Sequence, residues 1–244
     1  MRSLLFVPGH NDRYIKSALK SEADALIFDL EDSVPKNERA KAVMNLLDLK
    51  TDREVYVRIK TIYDIGYVNE SCATGMILPK VETKEDIKLA RALMNYKLNL
   101  IPLIETAQAI LHLESIAEFQ VEALAFGGED FKADIQGEDT YMVRSMIVTA
   151  ARAYGIEPID SVFTGDIKHL PAVVQNSRYM GFSGMLAVHP DQVETINEGF
   201  SPSKQEIAWA ANVIEKYKGG ITIIDGEFIG PPMVKTAKRI LNDS

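Results

Sequence analysis

The sequence predicts an α/β fold, a parallel TIM (β/α)8 barrel with a short C-terminal helical and hairpin extension. Two observations predict it. Eight short apolar, β-rich segments alternate with helical patterns, and that repeated order calls for a parallel sheet. Most of these segments also lack apolar/polar alternation, as strands do when helices cover one face and a barrel interior the other.

The strand segments are Ser3 to Val7, Ala25 to Asp29, Glu54 to Arg58, Gly75 to Leu78, Leu100 to Ile104, Ala123 to Phe126, Ser161 to Phe163 and Gly184 to Val188. Helical spacing is readable in Asn37 to Leu49, Thr83 to Met94, Thr106 to Phe119 and Tyr141 to Tyr154, the last with Met142, Met146, Ile147 and Ala150 as packing residues. An open Rossmann sheet is the alternative, but Val7-Pro8-Gly9-His10 follows the first strand where a GxGxxG phosphate loop belongs. After Pro202 the pattern changes to a helix (Ser203 to Tyr217), an apolar strand (Ile221 to Ile224), a hairpin turn at Asp225-Gly226 and a final helix (Pro231 to Leu241). The expected division is a barrel over 1–202 and an extension over 203–244, the extension packing on a neighbouring subunit.

The 244 residues are 46% hydrophobic and 25% charged, an ordinary globular composition with enough apolar surface for a sizeable core. A net charge of −8 argues against nucleic acid or an anionic membrane as partner. The lone Cys72 cannot form an internal disulfide, and neither a leader pattern nor a bilayer-length apolar run is present, so a reducing cytoplasm is the expected location.

In such a barrel the carboxyl ends of the strands open into the active-site mouth. There the sequence places Asp29, Glu31 and Asp32 after the second strand, Arg58 after the third and Lys80 after the fourth; Glu105 follows the fifth and Gly127-Gly128-Glu129-Asp130 the sixth. Crowded carboxylates repel unless a cation compensates them, and oxygen donors alone suit Mg²⁺. Glu105 and Asp130, each directly after an apolar strand, are the expected ligands, the remaining positions going to substrate and water. Arg58 is placed to hold a substrate carboxylate by paired hydrogen bonds, and Gly127 and Gly128 to let a ligand oxygen approach backbone amides. Either Asp29 or Glu31 is positioned to assist proton transfer. Lys80 reads equally as an ion-pair partner of these acids or as a substrate contact, and Asp32 and Glu129 individually fit structural roles. His10, His112, His169 and His189 are dispersed without zinc spacing, and neither a G-x-S-x-G elbow nor a Walker A sequence occurs.

The ordered series Arg2-Ser3-Leu4-Leu5-Phe6-Val7-Pro8-Gly9, Asp29-Leu30-Glu31-Asp32-Ser33-Val34, Val57-Arg58-Ile59, Leu78-Pro79-Lys80, Ile104-Glu105-Thr106, Gly127-Gly128-Glu129-Asp130 and Val188-His189-Pro190 resembles the citrate lyase β-subunit family. That family lies within the HpcH/HpaI aldolase/citrate lyase superfamily of Mg²⁺-dependent acyl-CoA lyases. The resemblance spans almost the whole chain. It implies retro-aldol or retro-Claisen cleavage, or the reverse, of a 3-hydroxyacyl-CoA type thioester, with an oxo- or hydroxy-acid and acyl-CoA as the small-molecule partners. By the same resemblance Glu105 and Asp130 hold Mg²⁺, Arg58 binds the substrate acid, and Phe6, Arg13, Leu186 and Ala187 lie along the coenzyme A path. A homotrimer, with the tail crossing to a neighbour, and association with citrate-lyase-type complex subunits are also implied.

Three positions depart from the family pattern. Gly230 stands where many members carry the second Asp of a DGxMxDxP motif, Met185 replaces a lysine, and Lys60 follows Val57-Arg58-Ile59 in place of asparagine. Glycine transfers no proton, so chemistry routed through that acid would need Asp225 or Glu227 instead. The leading expectation is a citryl-CoA lyase-like enzyme. The alternatives are a catalytically weakened metabolite- or CoA-binding regulatory subunit, which Gly230 favours, and a phosphoenolpyruvate mutase-like enzyme.

Overall fold

A computed structural model of the chain describes residues 1–242. It forms two compact units, Met1–Asn197 and a second beginning at Glu198. In the first unit β1 (Ser3–Pro8), β2 (Ala25–Asp29), β3 (Val55–Arg58), β4 (Gly75–Leu78), β5 (Asn99–Ile104), β6 (Ala123–Phe126), β7 (Glu157–Asp160) and β8 (Gly184–Ala187) close in sequence order into a barrel. All pairs are parallel, and closure sets Leu4 of β1 opposite Leu186 of β8. One face of each strand supplies the interior, where Leu4, Ile27, Tyr56, Ile77, Ile101, Ala125, Ile159 and Leu186 pack together. Each large apolar side chain so buried contributes about 1.5–3 kcal/mol.

The helices are α1 (Asp12–Ala18), α2 (Arg39–Asp48), α3 (Ile65–Glu70), α4 (Lys84–Leu93), α5 (Ala107–Leu111), α6 (Leu113–Ala117), α7 (Gly128–Ile135), α8 (Tyr141–Tyr154), α9 (Leu170–Met180) and α10 (Val193–Phe200). Helix starts follow local chemistry. Thr83 and Asp86 form a reciprocal capping box at the head of α4, and the left-handed Gly155 and Gly181 end α8 and α9.

Two expectations are corrected. The seventh strand is Glu157–Asp160, not Ser161 to Phe163. Its Glu, Pro and Asp look like a turn in sequence, yet the Pro158 carbonyl accepts from Ser183 N (2.9 Å) and the Asp160 carboxylate is compensated by Arg144 and the Ser177 hydroxyl. The single helix expected over Thr106 to Phe119 breaks at His112, whose ring nitrogen Nδ1 lies 3.1 Å from the Glu82 carbonyl.

The second unit contains α11 (Lys204–Lys216), the antiparallel pair β9 (Thr222–Ile224) and β10 (Glu227–Ile229), and α12 (Pro231–Asn242). Ala210, Val213, Ile224, Ile229, Ala237 and Ile240 form its own small core. Asp225 and Gly226 turn the hairpin with φ of 51° and 90°, the two positive values that a tight two-residue turn needs.

Candidate active site

The mouth is built from the ends of β2 to β6. Asp29 and Arg58 stand opposite each other in the β2–β3 register, and the guanidinium donates Nε to Oδ1 and Nη2 to Oδ2, both at 2.7 Å. Asp29 also accepts from the amides of Glu31 and Ser33 (each 3.0 Å) and from the Ser33 hydroxyl (2.5 Å). Burial alone would raise the Asp29 carboxyl, but the Arg58 pair and these donors outweigh it and hold the group below the ordinary aspartate range. Asp29 is therefore an anchored anion with both oxygens occupied, which fits holding Arg58 and not shuttling a proton. Arg58 in turn has one edge committed to Asp29. Its Nη1 lies 3.4 Å from Glu31 Oε2 and 3.7 Å from Asp32 Oδ2, looser contacts than those to Asp29, so a substrate acid would approach Arg58 at Nη1 and not at the Nε edge.

Glu31 differs from Asp29. It is buried, and that burial raises its carboxyl pKa; Arg58 opposes the shift, while Asp32 reinforces it. The Lys80 ammonium lies 3.5 Å from Glu31 Oε1, the ion-pair reading of that lysine.

Glu105 follows β5 and is only 2% exposed. Lys80, held in the left-handed conformation at φ 53°, aims its amide at Glu105 Oε1 (2.6 Å). Burial pushes the Glu105 carboxyl up to about 7; the Lys80 amide opposes this, and the negative Asp130 and Glu31 add to it. Asp130 sits in the first turn of α7. The donor set fits a hard divalent cation: a buried acid strained by like charges, one oxygen already bonded and a second acid alongside. Among the described residues no three His, Cys, Asp or Glu side chains form a metal-holding cluster, so a cation here would depend on these two carboxylates plus substrate and water.

The two glycines before Asp130 have a different role from the one expected. Gly127 N donates to the Ile104 carbonyl and Gly128 N to Ser161 Oγ, both at 2.9 Å, so neither amide is open to a ligand oxygen. Close packing explains them instead: a Cβ on Gly127 would stand 2.6 Å from Glu105 Cβ, and one on Gly128 2.7 Å from Ser161 Oγ.

Beside the mouth, Phe6, Arg13, Tyr14, Ser17, Val188 and His189 line a cavity of about 360 Å³. Phe6 also lies under the Arg58 guanidinium, 4.7 Å from ring centroid to Cζ. Leu186 and Ala187 do not line this cavity. Leu186 packs in the barrel interior and Ala187 is fully buried, because both belong to β8 itself while the loop beginning at Val188 faces the cavity. In the second unit Asp225 is engaged by Lys216 (3.1 Å) and Asn212 (2.7 Å), and the two hold its carboxyl below the usual range. Glu227 accepts from Trp209 Nε1 (3.3 Å).

Sequence reasoning missed Ser161, Asp134 and the left-handed Lys80. A faint signal existed only for Asp134, four residues and about one helical turn after Asp130.

Comparison with known proteins now bears on this geometry. The chain is 29% identical to human mitochondrial citramalyl-CoA lyase across 98% of this chain and 84% of that protein. It is 30% identical to a (3S)-malyl-CoA thioesterase of Cereibacter sphaeroides across 98% and 93%. The protein CitE of Mycobacterium tuberculosis, solved in complex with magnesium, acetoacetate and coenzyme A, matches with a TM-score of 0.83 at 27% identity, covering 99% of this chain and 97% of that one. The family model for HpcH/HpaI aldolase/citrate lyase matches residues 2–190, which carry all eight strands of the barrel and every acid of its mouth, and the chain belongs to that family.

Proposed function

We propose that this chain is a Mg²⁺-dependent carbon–carbon lyase, citryl-CoA lyase-like, that cleaves or forms a 3-hydroxyacyl-CoA type thioester. The observation that carries the reading is the buried Glu105 carboxylate beside Asp130, within a barrel of this family. Bound Mg²⁺ would supply positive charge against the negative charge that develops on a carbonyl oxygen as the carbon–carbon bond breaks.

The chain's own residues supply the rest. Arg58, fixed by Asp29, orients the substrate acid through Nη1. Glu31, whose raised pKa makes its anion a stronger base than an ordinary carboxylate, takes the hydroxyl proton. The O–H pair then forms the new carbonyl of the oxo-acid, the carbon–carbon pair passes to the thioester fragment, and the proton returns to that carbon. Arg13 offers its charge to a coenzyme A phosphate in the cavity it shares with Phe6. A homotrimer, supported by the exposed Ile221, Ile223 and Phe228 of the second unit, and a cytoplasmic location, supported by the single free cysteine, belong to the same reading. Among the described residues no helix is long and apolar enough to cross a membrane.

Citryl-, citramalyl- and malyl-CoA are the panel that tests this. Release of an oxo-acid that stops with EDTA and returns with Mg²⁺ is expected. Saturable binding of all three esters without release would replace the lyase with the regulatory subunit, the reading that Gly230 favours.

A further inference from the structure

The turn between β6 and α7 is held from both sides. On one side Asp134 Oδ2 accepts from the amide of Ala107 (2.7 Å), two residues beyond Glu105. Asp130 and Asp134 are one turn apart and share a face of α7, so the contact made by Asp134 draws the Asp130 face toward the end of β5. On the other side Ser161 Oγ accepts from Gly128 N at the helix start (2.9 Å). Ser161 is itself set by its own amide, which donates to Asp160 Oδ1 (2.9 Å), and Asp160 is tied to Arg144 and to the Ser177 hydroxyl. Between these contacts the chain has no slack, because Gly127 packs on Glu105 and Gly128 on Ser161 with no room for a Cβ.

We infer that Asp134 and Ser161 are positioning residues that set the separation of Glu105 and Asp130, and through it the affinity for the divalent cation. The inference rests on the proposed metal site. Neither residue is a ligand in it: Asp134 acts through the Ala107 amide and Ser161 through the Gly128 amide. Loss of hydrogen-bond partners that orient metal ligands elsewhere lowers metal affinity about 10–100-fold, and a shift of that size is expected here.

Mn²⁺ titration of the intact protein, followed by the loss of its free-ion electron paramagnetic resonance signal, tests this without any turnover. Asp134→Ala and Ser161→Ala should each raise the Mn²⁺ Kd about 10–100-fold at a temperature where thermal melts show them fully folded. Asp134→Asn, which keeps an oxygen to accept from Ala107 N, should restore most of the affinity. Asp134 lies on the surface, so its variants keep the fold even if Ser161→Ala does not. A Kd unchanged from the parent in Asp134→Ala, with binding lost in Glu105→Gln, would overturn the positioning role and leave the metal site standing. Asp134→Asn as weak as Asp134→Ala would also overturn it, since charge and not the accepted hydrogen bond would then be at work. Mn²⁺ binding retained in Glu105→Gln would remove the metal site and this inference together.

Discussion

Asp29 and Arg58 face each other from neighbouring strands through two parallel hydrogen bonds of 2.7 Å, and Arg58 is thereby fixed before any substrate arrives. Removing one member of such a buried pair leaves the other desolvated and uncompensated. Arg58→Met should therefore destabilise the fold by about 3 kcal/mol, read from urea unfolding, besides abolishing turnover. A stability equal to the parent would mean that the pair is solvated and not structural.

The same pair sets an acid-side dependence. Asp29 has a lower carboxyl pKa folded than the ordinary 3.8, so the unfolded chain binds a proton there first. Its contribution is complete above that ordinary value and disappears as pH falls through the folded one. Asp29→Asn should be less stable than the parent at neutral pH, with the difference narrowing as acid is added below about pH 4. Parallel stability curves from pH 6 to acid would contradict this.

Glu105→Gln keeps the shape of the side chain and halves the protein's negative contribution to the cation. Metal-dependent release of oxo-acid should fall below detection while circular dichroism and the melting temperature stay close to the parent. Calorimetric Mg²⁺ titration is the direct check, and parent-like affinity would exclude Glu105 as a ligand.

Lys80 carries two separable features, its left-handed backbone and its ammonium. Lys80→Gly keeps the amide that reaches Glu105 and relieves the backbone, whereas Lys80→Ala keeps the strain. The glycine variant should be the more stable of the two by about 1 kcal/mol, with both equally impaired in kcat if the ammonium matters to Glu31. Equal melting temperatures would show that the left-handed turn is unstrained.

Arg13→Ala should raise KM for a CoA thioester several-fold and leave Mg²⁺ affinity untouched. Unchanged KM would place the coenzyme phosphates away from the cavity that Arg13 shares with Phe6.

Much of the barrel was legible because its strands are buried on both faces and read as apolar runs. Gly75–Leu78 and Ala123–Phe126 appear in the structure with the bounds the sequence suggested. The seventh strand was not legible, since Asp160 becomes a tolerable strand residue only when Arg144, from α8, reaches it. At the mouth, the ends of the strands named the acids but not their division of labour. Asp29 and Glu31 are two residues apart and chemically alike; what separates them is that short hydrogen bonds from Arg58 and Ser33 saturate the first, whereas for the second burial outweighs the more distant Arg58 Nη1 and Lys80. Gly127 and Gly128 were misread for a related reason. A glycine pair at a strand end looks the same whether it admits a ligand or a neighbouring side chain, and only the placement of Ser161, distant in sequence, distinguishes the two.

That cramped glycine corner restricts how the enzyme can diversify. A side chain on Gly127 would run into Glu105 and one on Gly128 into Ser161, so either replacement forces the strand-end geometry around the acids to shift. Changes of specificity meet less resistance on the rim, at the exposed Lys60 and at the exposed Val188, which lines the cavity beside the mouth.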